Sequence, residues 1–144
     1  MNVQATYTFA APVQTVWELL IDIDAVAGCL PGCESIEPVG DNKYRTVLTM
    51  GIAAVTGRYE GTVEMQDLEP PRSYRLAVEG RGTPGFVNGG ATIRLEETDG
   101  TTQVQVDGTV QVGGTIARVG QRLLGSVSKM MMDRFFACLQ KRVT

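Results

Sequence analysis

The most informative absence in this 144-residue sequence is histidine, which does not occur at all. Without an imidazole, the chain can form neither a Ser-His-Asp nor a Cys-His nucleophile system, and it has no histidine ligand for zinc or iron. Aromatic residues are sparse too, with one tryptophan, four tyrosines and four phenylalanines. Several large classes of enzyme are therefore excluded before any motif is considered.

An excess of positive charge is also lacking. Thirteen Lys and Arg residues oppose sixteen Asp and Glu residues, which gives a net charge of -3. Sequence-independent binding to nucleic acid needs a clustered excess of basic residues. The composition therefore predicts no nucleic-acid partner.

Long apolar segments are missing as well. No stretch approaches the roughly 20 apolar residues of a membrane-spanning helix, and residues 1–7 have neither the basic nor the apolar region of a secretory signal peptide. Three cysteines (Cys29, Cys33 and Cys138) are a small, odd set, which is typical of a reducing compartment. We therefore predict a cytoplasmic protein. Cys29 and Cys33 alone are too few thiolates for a metal site, so neither a metal nor a cofactor is predicted.

What the sequence does contain is a clear hydrophobic period. Apolar and polar residues alternate in segments that we interpret as strands with one buried face: residues 2–9, 43–50, 55–65, 74–79, 91–96 and 103–112. Asp99-Gly100 is a typical hairpin turn, and short turns between successive strands indicate an antiparallel sheet. After the first strand, Pro12 opens a helix that continues to Leu20, and a second short helical piece covers residues 24–28.

The last thirty residues change period. Apolar residues from Ile116 to Cys138 follow the i, i+3, i+4, i+7 spacing of a helix, with Thr115 predicted as its N-cap. Only this helix is long enough to cover the dry face of the sheet. Residues 1–144 are therefore predicted to form a single α+β domain, in which a curved antiparallel β-sheet wraps around a long C-terminal α-helix. Nine glycines in or beside the strands either bend the sheet or leave volume beneath the helix; they are Gly57, Gly61, Gly80, Gly82, Gly89, Gly90, Gly108, Gly113 and Gly114.

Several segments resemble a known family. The opening strand Tyr7-Thr8-Phe9, followed by Ala11-Pro12 and Val16-Trp17, resembles the START-like (helix-grip, SRPBCC) superfamily. The segments 29–33 (Cys-Leu-Pro-Gly-Cys), 57–61 (Gly-Arg-Tyr-Glu-Gly) and 113–122, where a glycine pair leads into the last helix, look like the G-subunit family of carbon monoxide dehydrogenase. The resemblance covers essentially the whole chain and implies a helix-grip (START/Bet v 1-like) fold.

The same resemblance implies a function. It implies a non-enzymatic protein with an apolar cavity, between sheet and final helix, for a small hydrophobic ligand such as a quinone or a lipid. It also implies an accessory role toward a molybdenum-containing carbon monoxide dehydrogenase or related hydroxylase, in which the protein helps that enzyme reach the inner membrane surface or its quinone acceptor. The protein would then lie at the cytoplasmic face of the membrane.

The hydrophobic period of the strands and of the final helix predicts which side chains point inward and could line that cavity. Each of these side chains could equally belong to an ordinary core. Tyr59, Asn88 and Gln121 are the polar candidates, and the five methionines between residues 50 and 132 would supply adaptable apolar surface. The predicted lining consists of Leu30, Met50, Tyr59, Phe86, Asn88, Gln121, Leu123, Leu124, Val127, Met131 and Phe135.

Two other functions remain open at this stage. A START-like cyclase or hydrolase would need carboxylates inside the cavity, but Glu60, Glu64 and Glu79 fall in the solvent phase of their strands, so no catalytic residue is predicted. A protein–protein adaptor or assembly factor would have a filled core instead. The glycine-rich segment 80–86, which ends at Phe86, could serve such a partner or close over the cavity as a lid.

Overall fold

The structure is a computed structural model that describes residues 1–51 and 55–143. Its elements follow one another in this order: β1 (Asn2–Phe9), α1 (Val13–Ile21), α2 (Ile23–Cys29), β2 (Cys33–Gly40), β3 (Lys43–Met50), β4 (Gly57–Glu69), β5 (Ser73–Gly82), β6 (Gly85–Thr98), β7 (Thr101–Gly113), a short 3₁₀ turn (Thr115–Val119) and α3 (Gln121–Lys141). The predicted α+β class and element order are confirmed.

The strands described here form one antiparallel sheet in the order β1-β7-β6-β5-β4-β3-β2. Strands β2 to β6 each pair with the next one along the chain, and β1 pairs with β7. The face that packs against the helices is called the inner face here, and the opposite one the outer face. Paired residues of neighbouring strands share a face, so the register identifies the side to which each strand residue belongs.

The two short helices close one end of the sheet. The Asp22 side chain accepts hydrogen bonds from the backbone N–H groups of Asp24 and Ala25, which caps α2 directly after α1 ends. Trp17 of α1 is buried and meets the ring of Tyr74 edge-on, with the ring centroids 5.5 Å apart. These contacts anchor α1 and α2 against the inner face.

The long helix starts later than its periodicity predicts. Thr115 is not its N-cap: residues Thr115–Val119 form a 3₁₀ turn, and α3 begins at Gln121. The interruption lies at Gly120, whose φ of 90° is incompatible with a continuous right-handed helix. The apolar spacing carries on across the break, which is why the sequence pattern does not reveal it.

Buried side chains form two clusters on the inner face. The larger, called the base cluster here, joins β1, α1, α2 and the second half of α3 through buried residues that include Phe9, Trp17, Phe136 and Leu139. The smaller, called the tip cluster, centres on Val55, Tyr59, Ile116 and Val127. Helix α3 contributes to both, because Met131 packs on the tip cluster and Met132 on the base cluster.

Candidate functional site

Between the two clusters, the inner face of the sheet carries few large side chains. The register places Gly61 opposite Gly80 in one row across β4 and β5, and Val63 opposite Val78 in the next row. Val78 is 37% exposed although it belongs to the inner face. An apolar side chain that stays this exposed beneath a covering helix indicates unfilled space, and this stretch of the inner face is called the gap here.

The glycines of this stretch have two different roles. A methyl group at Gly61 would overlap the carbonyl oxygen of Glu79, so glycine is required there for close approach of the strands. A methyl group at Gly80 would lie 3.8 Å from its nearest neighbour, the Glu60 carbonyl oxygen, and would meet no other atom within 4 Å. Gly61 therefore shapes the sheet, whereas Gly80 leaves volume open.

A groove lies at the β1 edge of the sheet. It runs between the edge strand β1 and helix α3 and has a volume of about 390 Å³. Residues 1–7 form one wall, and the other is formed by Gly125, Ser128, Lys129, Met132 and Asp133 of α3. Volumes of this order are typical of small-molecule sites.

A hydrogen-bonded trio marks the polar end of the groove. The Tyr7 hydroxyl donates to Asp133 Oδ1 at 2.8 Å, and Lys129 Nζ lies 2.7 Å from Asp133 Oδ2. The hydrogen bonds from Lys129 and Tyr7 lower the pKa of the Asp133 carboxyl. Burial, together with the bond to Asp133, raises the pKa of the Tyr7 phenol. Asp133 is thus an ionised acceptor and Tyr7 a neutral donor near neutral pH, which is a poor arrangement for proton transfer.

The structure brings most of the nominated cavity residues together. Six of them belong to the tip cluster: Met50, Tyr59, Leu123, Leu124, Val127 and Met131. The Tyr59 hydroxyl donates to the carbonyl oxygen of Val55 at 2.7 Å, so its own proton is already used. Phe135 packs on the base cluster, and Leu30 is half-buried just after α2. That these residues contact a ligand remains a prediction.

Three nominated residues lie elsewhere. Phe86 pairs with Gly113 and Asn88 with Gln111, and both rows belong to the outer face because the intervening Val87–Val112 pair faces inward. Phe86 is 47% exposed and packs over the small Gly113 backbone. Gln121 is exposed at the first residue of α3. The predicted strand 91–96 has the correct phase, since Ile93 and Leu95 are buried, but β6 begins already at Gly85 and carries Phe86 and Asn88 on its outer face. Gln121 lies elsewhere because α3 begins later than predicted.

The segment 80–86, predicted as a possible lid over the cavity, is instead mostly part of two strands. Strand β5 continues to Gly82 and β6 begins at Gly85, so only Thr83 and Pro84 connect them. Gly82 pairs with Gly85 across this tight hairpin. The segment is therefore not a long loop that could close over a cavity.

The walls of the groove were missed by sequence reasoning. None of the nominated residues lines it. The residues predicted to line the cavity from α3 are mostly large and apolar. The groove is formed instead where that helix has the small residues Gly125 and Ser128. A methyl group at Gly125 would meet nothing within 4 Å. The combination of small helix residues with an alternating first strand was the available signal.

Two of the three cysteines are paired, although the small, odd set is typical of a reducing compartment. Cys29 at the end of α2 and Cys138 in α3 form a disulfide, with their Cα atoms 5.4 Å apart, and Cys33 is free. Burial raises the pKa of the Cys33 thiol, which makes it a weak nucleophile at neutral pH. Within residues 1–51 and 55–143, no group of three His, Cys, Asp or Glu side chains is placed to hold a metal ion.

Carboxylates of the strands lie on the outer face, as their phase predicts. Glu60 is within 3.4 Å of Arg45 and 3.5 Å of Arg58, and Arg58 also meets Glu34 at 3.1 Å. All of these side chains are largely exposed, so the pairs are weak and screened by solvent. Glu97, near the end of β6, is an exception: it pairs with the inner-face residue Thr102, is exposed and accepts a hydrogen bond from the backbone N–H of Val13 at 2.6 Å.

Charge is distributed unevenly along the chain. Residues 1–113 contain seven basic and fifteen acidic side chains, whereas residues 114–143 contain six basic side chains and the single acid Asp133. The six basic residues are all exposed: Arg118, Arg122, Lys129, Arg134, Lys141 and Arg142. The C-terminal segment 114–143, which contains α3, is therefore positive, and the rest of the chain is negative. Among the described helices, none is both long and apolar enough to cross a membrane.

Solved structures of other proteins share this architecture. A conserved protein from Geobacillus kaustophilus is 39% identical, with 99% of this chain and 95% of that chain covered and a TM-score of 0.97. The Zhui aromatase/cyclase from Streptomyces sp. R1128 is 19% identical, with 99% and 93% covered and a TM-score of 0.71. Ara h 8.0201 is 15% identical, with 99% and 97% covered and a TM-score of 0.71. The last two similarities establish the helix-grip fold alone.

Family membership follows from a match of a different kind. A comparison with functionally curated proteins finds no counterpart. The family model for the G subunit of carbon monoxide dehydrogenase (CoxG), however, matches residues 6–144, nearly the entire chain. Together with the helix-grip sheet and its covering helix, this match means that the chain belongs to the CoxG family of carbon monoxide dehydrogenase subunits.

Proposed function

We propose that this protein is a non-enzymatic carrier of a small apolar molecule, a quinone or a lipid. In this proposal, it serves a molybdenum-containing carbon monoxide dehydrogenase-type enzyme by bringing that molecule, or the enzyme itself, to the cytoplasmic surface of the membrane. The observation that carries the proposal is the gap: Val78 is 37% exposed on the inner face, beside the glycine pair Gly61–Gly80. An inner surface of this kind is stabilised when an apolar molecule covers it.

The groove also supports the carrier function. Its lining includes the apolar side chains of Met1, Val3, Ala5 and Met132, and its charged groups, Lys129 and Asp133, lie together beside Tyr7. A site with an apolar body and few polar groups at one end is suited to an amphiphilic ligand with a long apolar part. The family name supports the choice of a carbon monoxide dehydrogenase as the partner.

A non-enzymatic role is supported by the chemistry of the polar groups. Neither the described residues of the tip cluster nor the gap residues Gly61, Val63, Val78 and Gly80 include a carboxylate. Asp133 has a lowered pKa because Lys129 and Tyr7 donate to it, so it is a weak base. A cyclase or hydrolase would instead be expected to hold a group poised near neutral pH.

The proposal is tested by asking what the purified protein retains. We expect native mass spectrometry of detergent-free material to show a bound species, and solvent extraction to release an apolar molecule. In Gly125→Trp the indole would occupy the groove, since the space around Gly125 is open, so the retained species should be lost. Ala137→Trp, on an exposed face of the same helix, is the matched control and should keep it.

The other functions predict different results. An adaptor with a filled core would retain nothing, would take up no added quinone, and would show no difference between the two tryptophan variants. An enzyme of the cyclase or hydrolase type would convert the extracted molecule on prolonged incubation. Either result would replace the carrier proposal.

The cytoplasmic location has its own test. Disulfides are rare in the cytoplasm, and Cys29 and Cys138 are paired in this structure. If the protein works in the cytoplasm, acid quenching of the cells followed by alkylation of the denatured protein with a maleimide of high mass should label all three cysteines. Labelling of Cys33 alone would place the protein in an oxidising compartment.

A further inference from the structure

One polar side chain of the inner face has no hydrogen-bond partner among residues 1–51 and 55–143. Thr46 on β3 is 6% exposed, and its hydroxyl oxygen is buried without a hydrogen bond to any described residue. A buried hydroxyl that loses its water without gaining a partner destabilises the fold. The other buried threonine of the described residues, Thr102, follows the usual rule and donates to the carbonyl oxygen of Ala11 at 2.8 Å.

The position of Thr46 relates it to the gap. It pairs with Ile36 of β2 on one side and with Gly61 of β4 on the other, and Gly61 in turn pairs with Gly80 of β5. Two side-chain-free positions thus follow Thr46 directly along the same row of the inner face. A flat apolar molecule lying over this pair of glycines would bring its edge toward the hydroxyl.

From these observations we infer that the Thr46 hydroxyl is the hydrogen-bonding anchor of the ligand, and that the ligand is an apolar molecule with an oxygen atom, such as a ring carbonyl, at its buried end. This inference rests on the proposed carrier function and specifies its chemistry. The hydroxyl can donate to a carbonyl oxygen, and Tyr59, one row away, is already bonded to the carbonyl of Val55.

The test uses two flat ring systems that differ only in oxygen. Anthraquinone has two ring carbonyls, and anthracene has the same carbon skeleton without them. We expect the wild-type protein to bind anthraquinone about five- to tenfold more tightly than anthracene, the effect of one hydrogen bond. In Thr46→Val, which keeps the shape and removes the hydroxyl, this preference should disappear while anthracene binding is unchanged. Thr46→Ser should keep the preference.

Each possible failure has a distinct meaning. If the wild-type protein binds neither compound, the carrier function fails and this inference with it. If it binds both equally, or if Thr46→Val keeps the preference, the inference is wrong and the carrier function stands. Equal weakening of both compounds in Thr46→Val would mean that the variant disturbs packing, and this also overturns an anchoring role. Should Thr46→Val not fold, the wild-type preference and the Thr46→Ser variant still decide the question.

Discussion

At the scale of single residues, glycine has different structural roles at two paired positions. Gly61 and Gly80 are paired across β4 and β5, yet only Gly61 is in a place where a methyl group would meet a backbone carbonyl. The sequence predicted that strand glycines either bend the sheet or leave volume. The structure contains one example of each, side by side.

This contrast gives the first prediction. We expect Gly61→Ala to lower the free energy of unfolding by about 1–3 kcal/mol, because the Glu79 backbone must move. Gly80→Ala, the matched variant, should stay within about 1 kcal/mol of wild type, since its methyl group is accommodated and the unfolded chain loses freedom. Urea unfolding of both variants measures the difference. Similar losses at the two positions would mean that the gap is closed at Gly80.

The tyrosines give the second prediction. The pKa of Tyr74 is raised by burial, and that of Tyr7 by burial and by its bond to Asp133. The folded state therefore binds these protons more tightly than the unfolded state, and stability must fall as the pH rises above about 10, the ordinary phenol pKa. Urea unfolding at pH 8 to 11, with the disulfide kept oxidised, checks this expectation. In Tyr74→Phe the decline should be shallower, and an unchanged slope would contradict it.

At the scale of elements, the disulfide joins the helix that covers the sheet to the helix that closes its end. Cys29 and Cys138 are 109 residues apart in sequence. A cross-link of this length restricts the unfolded chain strongly, whereas Cys33 has no partner sulfur. A substitution of Cys138 therefore removes the disulfide, whereas a substitution of Cys33 removes only a free thiol.

The third prediction follows from this link. We expect Cys138→Ala to lower the free energy of unfolding by about 2–4 kcal/mol under oxidising conditions. Cys33→Ala is the control and should have a small effect. Addition of dithiothreitol should bring the wild-type protein close to the Cys138→Ala value. A wild-type stability that does not respond to the reductant would mean that the link contributes little.

At the scale of the whole molecule, the separation of charge gives the protein an orientation. The segment 114–143 carries six basic residues and one acid, and the rest of the chain is acidic overall. A positive face attracts anionic lipid headgroups, each nearby basic residue contributing about 1 kcal/mol. Such an orientation would bring α3, one wall of the groove, next to the membrane surface.

The fourth prediction is a test of this orientation. The protein should sediment with vesicles that contain phosphatidylglycerol and not with vesicles of phosphatidylcholine, and binding should weaken as salt increases. The double variant Arg118→Glu/Arg122→Glu should lose this binding. Arg75→Glu/Arg94→Glu makes the same change of net charge on the strands and is the matched control. Equal losses in the two variants would point to net charge rather than to a particular face.

The sequence by itself determined the class and the order of elements, because these depend on local signals. Alternation along β1 and β7 and the helical spacing after Gly113 are properties of neighbouring residues, and they were sufficient for the α+β fold. The segment Cys33–Gly40 lacked such a signal, since β2 is a largely exposed edge strand with Pro38 and shifts of register. Its pattern accordingly does not predict a strand.

Only the tertiary structure decided which residues meet. Strand β6 begins at Gly85, earlier than the predicted strand 91–96, and its regular alternation places Phe86 and Asn88 on the outer face. The pairing of Cys29 with Cys138, the groove beside Gly125 and the unpartnered hydroxyl of Thr46 depend on elements that are distant in sequence. Periodicity identifies the face on which a side chain lies, but the space opposite that face is set by the packing of other segments.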